Sequence, residues 1–321
     1  MHRIVFLDRA TLATGVRLRR PGFEHRWSEF AHTDPADVVQ RLDGATMVID
    51  NKVPLRREAL ERLPELQLVA VAATGTDCVD KDCCRERGIV VSNVRNYAVH
   101  TVPEHVFALI LALRRSLCAY RDEVRRGAWQ AARQFCFFSH PIEDLHGSNL
   151  GIIGEGSLGQ GVAQLARAFG MNVMFAAHKG KSGLGPLYTP FDEFLETADV
   201  ITLHCPLLPE TRALLGMDEF RRMRRRPVLV NASRGGLVVE EDLERALDEG
   251  LVAGAAFDVA LPEPPPEDST IMRLAARADF ILTPHIAWAS AQAQQALADQ
   301  LIDVIERYAQ GTPVNVVRGA F

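Results

Sequence analysis

The sequence of 321 residues lacks an apolar run long enough to cross a membrane. A transmembrane helix needs about 20 mainly apolar residues, and the longest candidate, "HVFALILALRRSL", is interrupted by Arg114 and Arg115. The first ten residues, "MHRIVFLDRA", have only a short apolar stretch and an early Asp8, which is typical of a first strand rather than a signal peptide. We therefore expect no membrane span.

Positive charge is not in excess, and the cysteines follow no recognisable pattern. The net charge is −5, so electrostatics give no reason to expect nucleic acid or an anionic membrane as a partner. None of the six cysteines forms a CxxC pair, and their spacing matches neither a zinc site nor a disulfide framework. We expect reduced thiols in a cytoplasmic protein without a metal site.

The chain contains two blocks in which short apolar runs alternate with charged segments of helical spacing. The length suits two domains, and 47% hydrophobic residues are enough for a sizeable core. Apolar runs bounded by turn residues, separated by helical segments, predict parallel sheets. In the first block the runs are "RIVFLD", "ATMVID", "LQLVAVAAT" and "GIVVSN", with helical patterns in "LRREALERL" and "VDKDCCRERG". In the second block they are "NLGIIG", "MNVMFAA", "DVITLHC", "RPVLVNAS", "VAGAAFDV" and "DFILTPH".

These patterns predict an α/β protein with two Rossmann-like, doubly wound parallel-sheet domains and a cleft between them. We expect residues 1–99 and 288–321 to form one domain, with residues 100–287 inserted as the other. One long helix is expected over residues 101–127, ending at Gly127, followed by an irregular segment over 129–147. Phe135, Phe137 and Phe138 lie in that segment and need burial. An amphipathic helix ending at Gly311 closes the chain.

Residues 154–159, "GEGSLG", form a GxGxxG motif between an apolar strand and a helix that starts at Ser157. The first glycine permits a tight turn, the second lets a pyrophosphate approach the backbone, and the third packs the helix on the strand. Free N–H groups at the helix start would face the anion. The motif predicts a dinucleotide site, and a glycine-rich turn without a ligand is the alternative. We assign Gly154, Gly156, Ser157, Leu158 and Gly159 to this site.

The carboxylate that usually holds the adenosine ribose is absent. An NAD site normally carries Asp or Glu at the end of the second strand, here near Ala177, yet no acidic residue occurs between Glu155 and Asp192. The residues that follow include His178, Lys179 and Lys181. Cations without a carboxylate suit a 2′-phosphate, so the sequence favours NADP(H), with NAD(H) or dual use as the alternative.

Three polar residues follow three later strands. Arg234 follows "VLVNAS", Glu263 lies five residues beyond Asp258, and His285 follows "FILTP". The carboxyl ends of parallel strands face one crevice, so an arginine, a glutamate and a histidine at that edge, together with the GxGxxG motif, are candidates for one site. Taken singly, each could be a surface arginine, a loop acid or a satisfied polar histidine.

With these motifs the chain resembles the D-isomer-specific 2-hydroxyacid dehydrogenases over nearly its whole length, most closely the glycerate dehydrogenase or hydroxypyruvate reductase branch. The resemblance includes "VAATGTDCVD", "NYAVHTVPEHVFALILALRR", "LHCPLLPET", "NASRGG", "FDVALPEP" and "TPHIAWAS". It implies that Arg234, Glu263 and His285 are catalytic, and that the first block with the last helix binds substrate. It also implies that the inserted block binds the cofactor and that the 101–127 helix helps to build a homodimer.

The resemblance implies further contacts with the ligands. Thr74 and Gly75 match a loop that binds the substrate carboxylate. Trp288 is a separate prediction from its position three residues after His285: it is expected to wall the substrate pocket, with core packing as its alternative. Other positions match cofactor-binding segments: Thr101, Ala177, His178, Lys179, His204, Cys205, Pro206, Ala232, Ser233 and Asp258.

The implied function is hydride transfer between NAD(P)H and a small 2-oxo acid, either hydroxypyruvate to D-glycerate or glyoxylate to glycolate. Two alternatives remain. One is a phosphite or formate dehydrogenase on the same fold, although formate enzymes of this family carry glutamine where Glu263 stands. The other is a nucleotide-binding sensor similar to the corepressors of this fold, because fold alone does not decide function.

Overall fold

The computed structural model describes residues 1–317, and contacts between Cα atoms divide the chain into two compact units. One unit consists of Met1–Ala98 with Ala289–Phe321, and the other is Val99–Trp288. Each has its own buried cluster of apolar side chains. Among residues 1–317, no helix combines the length and apolar character needed to cross a bilayer.

The first unit is built on a parallel sheet. Within the described residues its strands are β1 (His2–Phe6), β2 (His25–Glu29), β3 (Met47–Asp50), β4 (Leu68–Val71) and β5 (Val90–Asn93). Its α-helices, numbered along the whole chain, are α1 (Val38–Arg41), α2 (Arg57–Leu60), α3 (Lys81–Glu86) and α12 (Ala291–Ala309). The strand order β2-β1-β3-β4-β5 is the flavodoxin-like doubly wound order.

The second unit is a larger parallel sheet. Its strands in the described chain are β6 (Asn149–Ile153), β7 (Asn172–Ala176), β8 (Tyr188–Thr189), β9 (Val200–Leu203), β10 (Val228–Asn231), β11 (Gly254–Phe257) and β12 (Phe280–Leu282). Its helices are α4 (Thr101–Arg114), α5 (Leu117–Arg125), α6 (Ala128–Ala132), α7 (Ser157–Ala168), α8 (Phe191–Thr197), α9 (Met217–Arg222), α10 (Glu240–Asp248) and α11 (Thr270–Ala275). The order β12-β11-β10-β9-β6-β7-β8 reverses between β6 and β9, where Rossmann sheets bind dinucleotides.

Burial explains why the central strands were recognisable as continuous apolar runs. Every residue of β3, β4, β9, β10 and β11 is buried, as expected for parallel strands covered on both faces. The predicted pair of parallel-sheet α/β domains is confirmed by these two sheets.

The predicted single helix over 101–127 is wrong, because the chain breaks between α4 and α5. Ser116 adopts a left-handed backbone conformation with φ of 51°, which an α-helix cannot continue through. Its hydroxyl donates to the carbonyl of Pro141 (2.7 Å), and Arg114 donates to the carbonyl of Asp144 (2.8 Å). Contacts with a segment about 25 residues away therefore stabilise the break.

Several local predictions also differ from the structure. Part of the segment predicted to be irregular forms α6, and the helical pattern "LRREALERL" yields only the four-residue α2. The edge strands β2 and β8 were not predicted, because neither "HRWSE" nor "YT" carries a clear apolar alternation. Phe135 and Phe138 are 91% and 83% exposed rather than buried within the chain.

Candidate active site

The three predicted catalytic residues lie on loops that follow neighbouring strands of the second unit. Arg234 follows β10, Glu263 follows β11 and His285 follows β12, and these strands are adjacent and parallel. Their carboxyl ends therefore share one edge of the sheet. The order of the sheet brings together loops that are up to 51 residues apart in sequence.

Glu263 and His285 form a direct pair. One carboxylate oxygen of Glu263 lies 2.7 Å from Nδ1 of His285, and the other accepts a hydrogen bond from the backbone N–H of Ala260 (3.0 Å). The glutamate is held by its own loop and in turn orients the imidazole ring. With Nδ1 engaged, Nε2 is the ring nitrogen left to exchange a proton with a ligand.

Arg234 is supported by a fully buried asparagine. Asn231 donates from Nδ2 to the carbonyl of Arg234 (2.8 Å) and accepts from the N–H of Ser233 (3.1 Å). One terminal nitrogen of Arg234 also donates to the carbonyl of Ser233 (2.8 Å). These bonds fix the backbone from which the guanidinium projects.

The Arg234 loop packs tightly against the segment that leads to Glu263. A Cβ atom on Gly235 would lie 2.3 Å from the carbonyl oxygen of Ala260, which is far inside van der Waals contact. Gly235 is therefore required for the loops of Arg234 and Glu263 to approach each other, and this explains the glycine that directly follows Arg234.

Asp258 organises the loop that carries His285. Its side chain is 1% exposed and accepts from the hydroxyl of Thr283 (2.5 Å), the N–H of Ile286 (2.9 Å) and the N–H of Ala287 (2.8 Å). The sequence assigned Asp258 to the cofactor, and the structure adds this support of the loop.

Trp288 is tied to the same loop. Its indole N–H donates to the carbonyl of His285 (3.1 Å). The indole is partly exposed, so it is not a core residue. Its hydrogen bond fixes the ring close to the backbone of His285.

Residues 154–159, here called the phosphate loop, lie between β6 and α7, and the surroundings of the three motif glycines differ. Gly154 has φ of 110°, and a Cβ there would lie 2.7 Å from the backbone of His204. A Cβ on Gly159 would lie 2.0 Å from the carbonyl oxygen of Gly154. At Gly156 a Cβ would meet no atom within 4 Å, so the space in front of this residue is open to a ligand. Ser157 and Leu158 begin α7 beside it.

The end of β7 is the position at which an NAD site normally carries the carboxylate that binds the adenosine ribose. Ala177 is buried, and its N–H donates to the carbonyl of Thr189 on β8 (2.8 Å). His178, Lys179 and Lys181 are all exposed, and Lys179 also pairs with the buried Glu219 (2.8 Å). Lys179 therefore already has an anionic partner inside the protein.

Glu155, which is unusual beside a pyrophosphate, interacts with β8 instead. Partial burial and, after it, the Glu155 carboxylate raise the pKa of Tyr188. The carboxylate is thus near the phenol of Tyr188 at the outer edge of the sheet.

The segment 204–206 follows β9 and passes beside the phosphate loop. Burial lowers the pKa of His204 to about 4, so its ring is neutral at physiological pH, and Nε2 lies 2.9 Å from the hydroxyl of Thr202. Burial raises the pKa of Cys205 to about 11, so this thiol is not an activated nucleophile. The hydroxyl of Ser233 donates to the Cys205 carbonyl (2.6 Å), which joins this segment to the loop that contains Ala232. Pro206 continues the segment.

Thr74 and Gly75 lie in the first unit, on the loop that follows β4. The hydroxyl of Thr74 donates to the carbonyl of Val94 (3.0 Å), and Nδ2 of Asn93 donates to the carbonyl of Thr74 (2.7 Å). The ends of β4 and β5 are thus cross-linked, and Thr74 is itself exposed.

Sequence reasoning missed His105 and Thr283, which support the site, and assigned Thr101 to the cofactor alone. Nε2 of His105 on α4 lies 3.2 Å from the hydroxyl of Thr283, and the hydroxyl of Thr101 donates to the carbonyl of Ala287 (3.3 Å). The available signal was a histidine placed one turn after a threonine in the mainly apolar "TVPEHVFALILAL".

Comparison with known proteins places this architecture in a class of nicotinamide-dependent oxidoreductases. The sequence profile of the D-isomer specific 2-hydroxyacid dehydrogenase NAD binding domain matches residues 107–287. The glycerate dehydrogenase of Methylorubrum extorquens is 48% identical over 98% of this chain and 98% of its own. The hydroxypyruvate reductase of Blautia hydrogenotrophica is 36% identical over 89% and 88% of the two chains. An acyclic imino acid reductase solved with NADPH and D-arginine superposes with a TM-score of 0.83, at 25% identity, over 98% of this chain and 100% of that one.

The chain therefore belongs to the D-isomer specific 2-hydroxyacid dehydrogenase family, and the resemblance seen in the sequence is confirmed. It is an oxidoreductase that acts on a CH–OH group with a nicotinamide cofactor. The glycines of the phosphate loop fit that cofactor, since the loop is open at Gly156 and closely packed at Gly154 and Gly159.

Alanine at two glycines of the phosphate loop is expected to separate cofactor binding from folding. Gly156→Ala should leave the melting temperature within about 2 °C, because its methyl group would contact no protein atom. It should weaken the binding of NADH and NADPH at least tenfold, about 1.4 kcal/mol, because the methyl group would occupy space that is open to the ligand. Gly159→Ala should lower the melting temperature by several degrees, about 1–3 kcal/mol, because its methyl group meets backbone. Differential scanning fluorimetry and cofactor titration by fluorescence measure both effects. Equal loss of stability in the two variants would contradict this assignment.

Proposed function

We propose that the protein reduces hydroxypyruvate to D-glycerate, and glyoxylate to glycolate, reversibly and with a nicotinamide dinucleotide. The observation that carries this proposal is the Glu263–His285 pair, 2.7 Å apart, on loops adjacent to that of Arg234. The 48% identity to a glycerate dehydrogenase over nearly the whole chain supports the choice of substrate.

Arg234 binds the 2-oxo acid in this proposal. Its planar guanidinium can donate two parallel hydrogen bonds to a carboxylate or to a carboxylate and the adjacent carbonyl. Asn231 and the bonds around Ser233 fix the backbone that carries the guanidinium before substrate arrives. The loop of Thr74 and Gly75 supplies main-chain N–H groups to the substrate carboxylate, and Trp288 limits the size of the substrate.

His285 exchanges the proton. When bound, the nicotinamide supplies or accepts the hydride. On reduction, Nε2 of His285 donates a proton to the developing alkoxide oxygen, and on oxidation it takes that proton back. Glu263 accepts from Nδ1 and keeps the ring in the orientation that presents Nε2.

We propose that residues 154–159, with Thr101, Ala177, residues 204–206, Ala232, Ser233 and Asp258, hold the dinucleotide in a domain spanning residues 100–287. Residues 1–99 and 288–321 form the substrate-binding domain. No acid occurs between Glu155 and Asp192, which favours NADP(H) over NAD(H). Because Lys179 is paired with Glu219, a preference for the 2′-phosphate depends on His178 and Lys181.

Steady-state kinetics with hydroxypyruvate, glyoxylate and pyruvate, each with NADPH and NADH, test this function. We expect the highest kcat/KM with hydroxypyruvate and at least a tenfold preference for NADPH, about 1.4 kcal/mol. Lys181→Gln should reduce that preference more than the matched Lys179→Gln. A preference for NADH would overturn the coenzyme assignment alone. Binding of nucleotide without turnover of any 2-oxo acid would favour a sensor.

We also propose that the protein is a homodimer formed through residues 117–142. This segment carries a group of exposed apolar side chains, Leu117, Trp129, Phe135, Phe138 and Ile142, each between 46% and 91% exposed. Large exposed apolar patches mark interaction surfaces. The resemblance implies a dimer contact through residues 101–127, which overlaps this segment at residues 117–127.

Charge on this surface is expected to disrupt the dimer. Phe135→Asp combined with Phe138→Asp should convert a dimer of about twice 35.5 kDa into a monomer in light scattering at micromolar concentration, since each aspartate would be desolvated in the contact. Met272→Asp, at an exposed apolar residue outside the segment, is the control. A dimer that persists in the double variant would place the interface elsewhere.

A further inference from the structure

Helix α4 contacts the loop of His285 through two polar side chains. Thr101 and His105 are four residues apart, so they lie on one face of the helix. Thr101 donates to the carbonyl of Ala287 (3.3 Å), and Nε2 of His105 lies 3.2 Å from the hydroxyl of Thr283. The first turn of α4 is thus bonded to both ends of the loop that contains His285.

The hydrogen-bonding capacity of Thr283 decides which atom donates in this contact. A threonine hydroxyl has one hydrogen, and Thr283 donates it to Oδ1 of Asp258 at 2.5 Å. The hydroxyl must therefore accept from His105, whose Nε2 carries a hydrogen. Nε2 of His105 is also 3.7 Å from the same Asp258 oxygen. The hydroxyl of Thr283 and the N–H of His105 therefore both lie close to the Asp258 carboxylate.

This chain of bonds continues to the backbone around His285. Asp258 accepts from the N–H groups of Ile286 and Ala287, the two residues that follow His285. His285 itself has φ of 55°, a left-handed conformation that costs a residue with a side chain about 1 kcal/mol or more. Such a conformation persists only where surrounding bonds specify it.

We propose that His105 is a positioning residue for the reaction. By donating to Thr283 it fixes the hydroxyl as donor to Asp258, and Asp258 then holds the loop in the conformation that presents Nε2 of His285 to the substrate. His105 does not touch the reacting atoms in this assignment. The inference rests on the proposed role of His285 as proton donor.

A matched series at His105 and Thr283 tests the requirement for a donor. His105→Leu removes the donor, and His105→Gln restores one from its side-chain amide. Thr283→Val removes the hydroxyl and Thr283→Ser keeps it. His146→Leu, at an exposed histidine of the same unit, controls for the loss of a histidine. Each purified full-length variant is assayed with hydroxypyruvate for kcat and KM, for NADPH affinity by fluorescence, and for melting temperature.

We expect His105→Leu and Thr283→Val to lower kcat about tenfold to hundredfold, the size of effect that a displaced reacting group produces. KM should change by less than about threefold, because Arg234 is untouched. NADPH affinity should fall less than kcat, because the phosphate loop is untouched and Asp258 is itself retained. His105→Gln and Thr283→Ser should recover most of kcat. The double variant His105→Leu with Thr283→Val should be no worse than either single variant, because both break one chain of bonds.

Other outcomes would overturn the inference. If His105→Leu keeps full kcat, or if His105→Gln is as impaired as His105→Leu, donation to Thr283 has no role in positioning. If the loss of kcat follows only the loss of folded protein, His105 is structural. The variant His285→Asn separates the two proposals: an inactive His285→Asn beside a fully active His105→Leu overturns this inference alone, whereas an active His285→Asn overturns both.

Discussion

Asparagine at His285 is expected to lower kcat for hydroxypyruvate reduction by about 10²–10⁴-fold, the usual contribution of a positioned general acid. An asparagine side chain can still accept or donate a hydrogen bond near Glu263, but it cannot release and recover a proton at the position of Nε2. NADPH affinity should stay within about threefold, because His285 is bonded to Glu263, Thr283 and Trp288 in the described residues. Stopped-flow measurement of the first turnover, at saturating coenzyme, measures the loss in the chemical step directly.

Glu263→Gln is the matched variant for this prediction. It keeps the size of the side chain and its bond to the N–H of Ala260, but it replaces the charged acceptor for Nδ1 of His285 with a neutral one. We expect a smaller loss than in His285→Asn, about 10–100-fold, since charge-assisted hydrogen bonds are roughly twice as strong as neutral ones. A His285→Asn enzyme that retains more than about a tenth of wild-type kcat would refute His285 as the proton donor.

Arg234→Ala is expected to lower kcat/KM by about 10²–10³-fold, or about 3–4 kcal/mol, because it removes the cation that we propose binds the substrate carboxylate. Arg234→Lys should recover little of this loss. Lysine keeps the charge, but it lacks the planar pair of donors that matches a carboxylate. The melting temperature should change little in either variant, since the buried anchor of this loop is Asn231 rather than the guanidinium.

Arg224→Lys provides the control, because Arg224 is 74% exposed and pairs only loosely with Glu196 (3.5 Å). Inhibition by oxalate, a planar dicarboxylate, gives a second measurement that does not require turnover. Its inhibition constant should rise with the loss of kcat/KM in Arg234→Ala. Wild-type affinity for oxalate in Arg234→Lys would mean that charge alone, without the fork of donors, binds the carboxylate.

The sequence was sufficient where the physical signal is local. Strands such as "MVID" and "VLVN" are buried on both faces, so a continuous apolar run marks them. The GxGxxG motif encodes backbone geometry in the glycines themselves, as Gly154 and Gly159 demonstrate. Because parallel strands end at one edge, the positions of Arg234, Glu263 and His285 after apolar runs also predicted that the three would lie close together.

Only the tertiary structure decided features that depend on residues far apart in the chain. The break at Ser116 is stabilised by Pro141, and the pairing of Lys179 with Glu219 changes which cations are open to a coenzyme phosphate. The donor from His105 meets Thr283 across 178 residues of sequence. Hydrophobic periodicity and glycine motifs reflect local backbone conformation and burial, which depend on residues that are close together in the sequence. The partner of a polar side chain is set by which elements pack together, and that becomes known only when the sheets and helices are assembled.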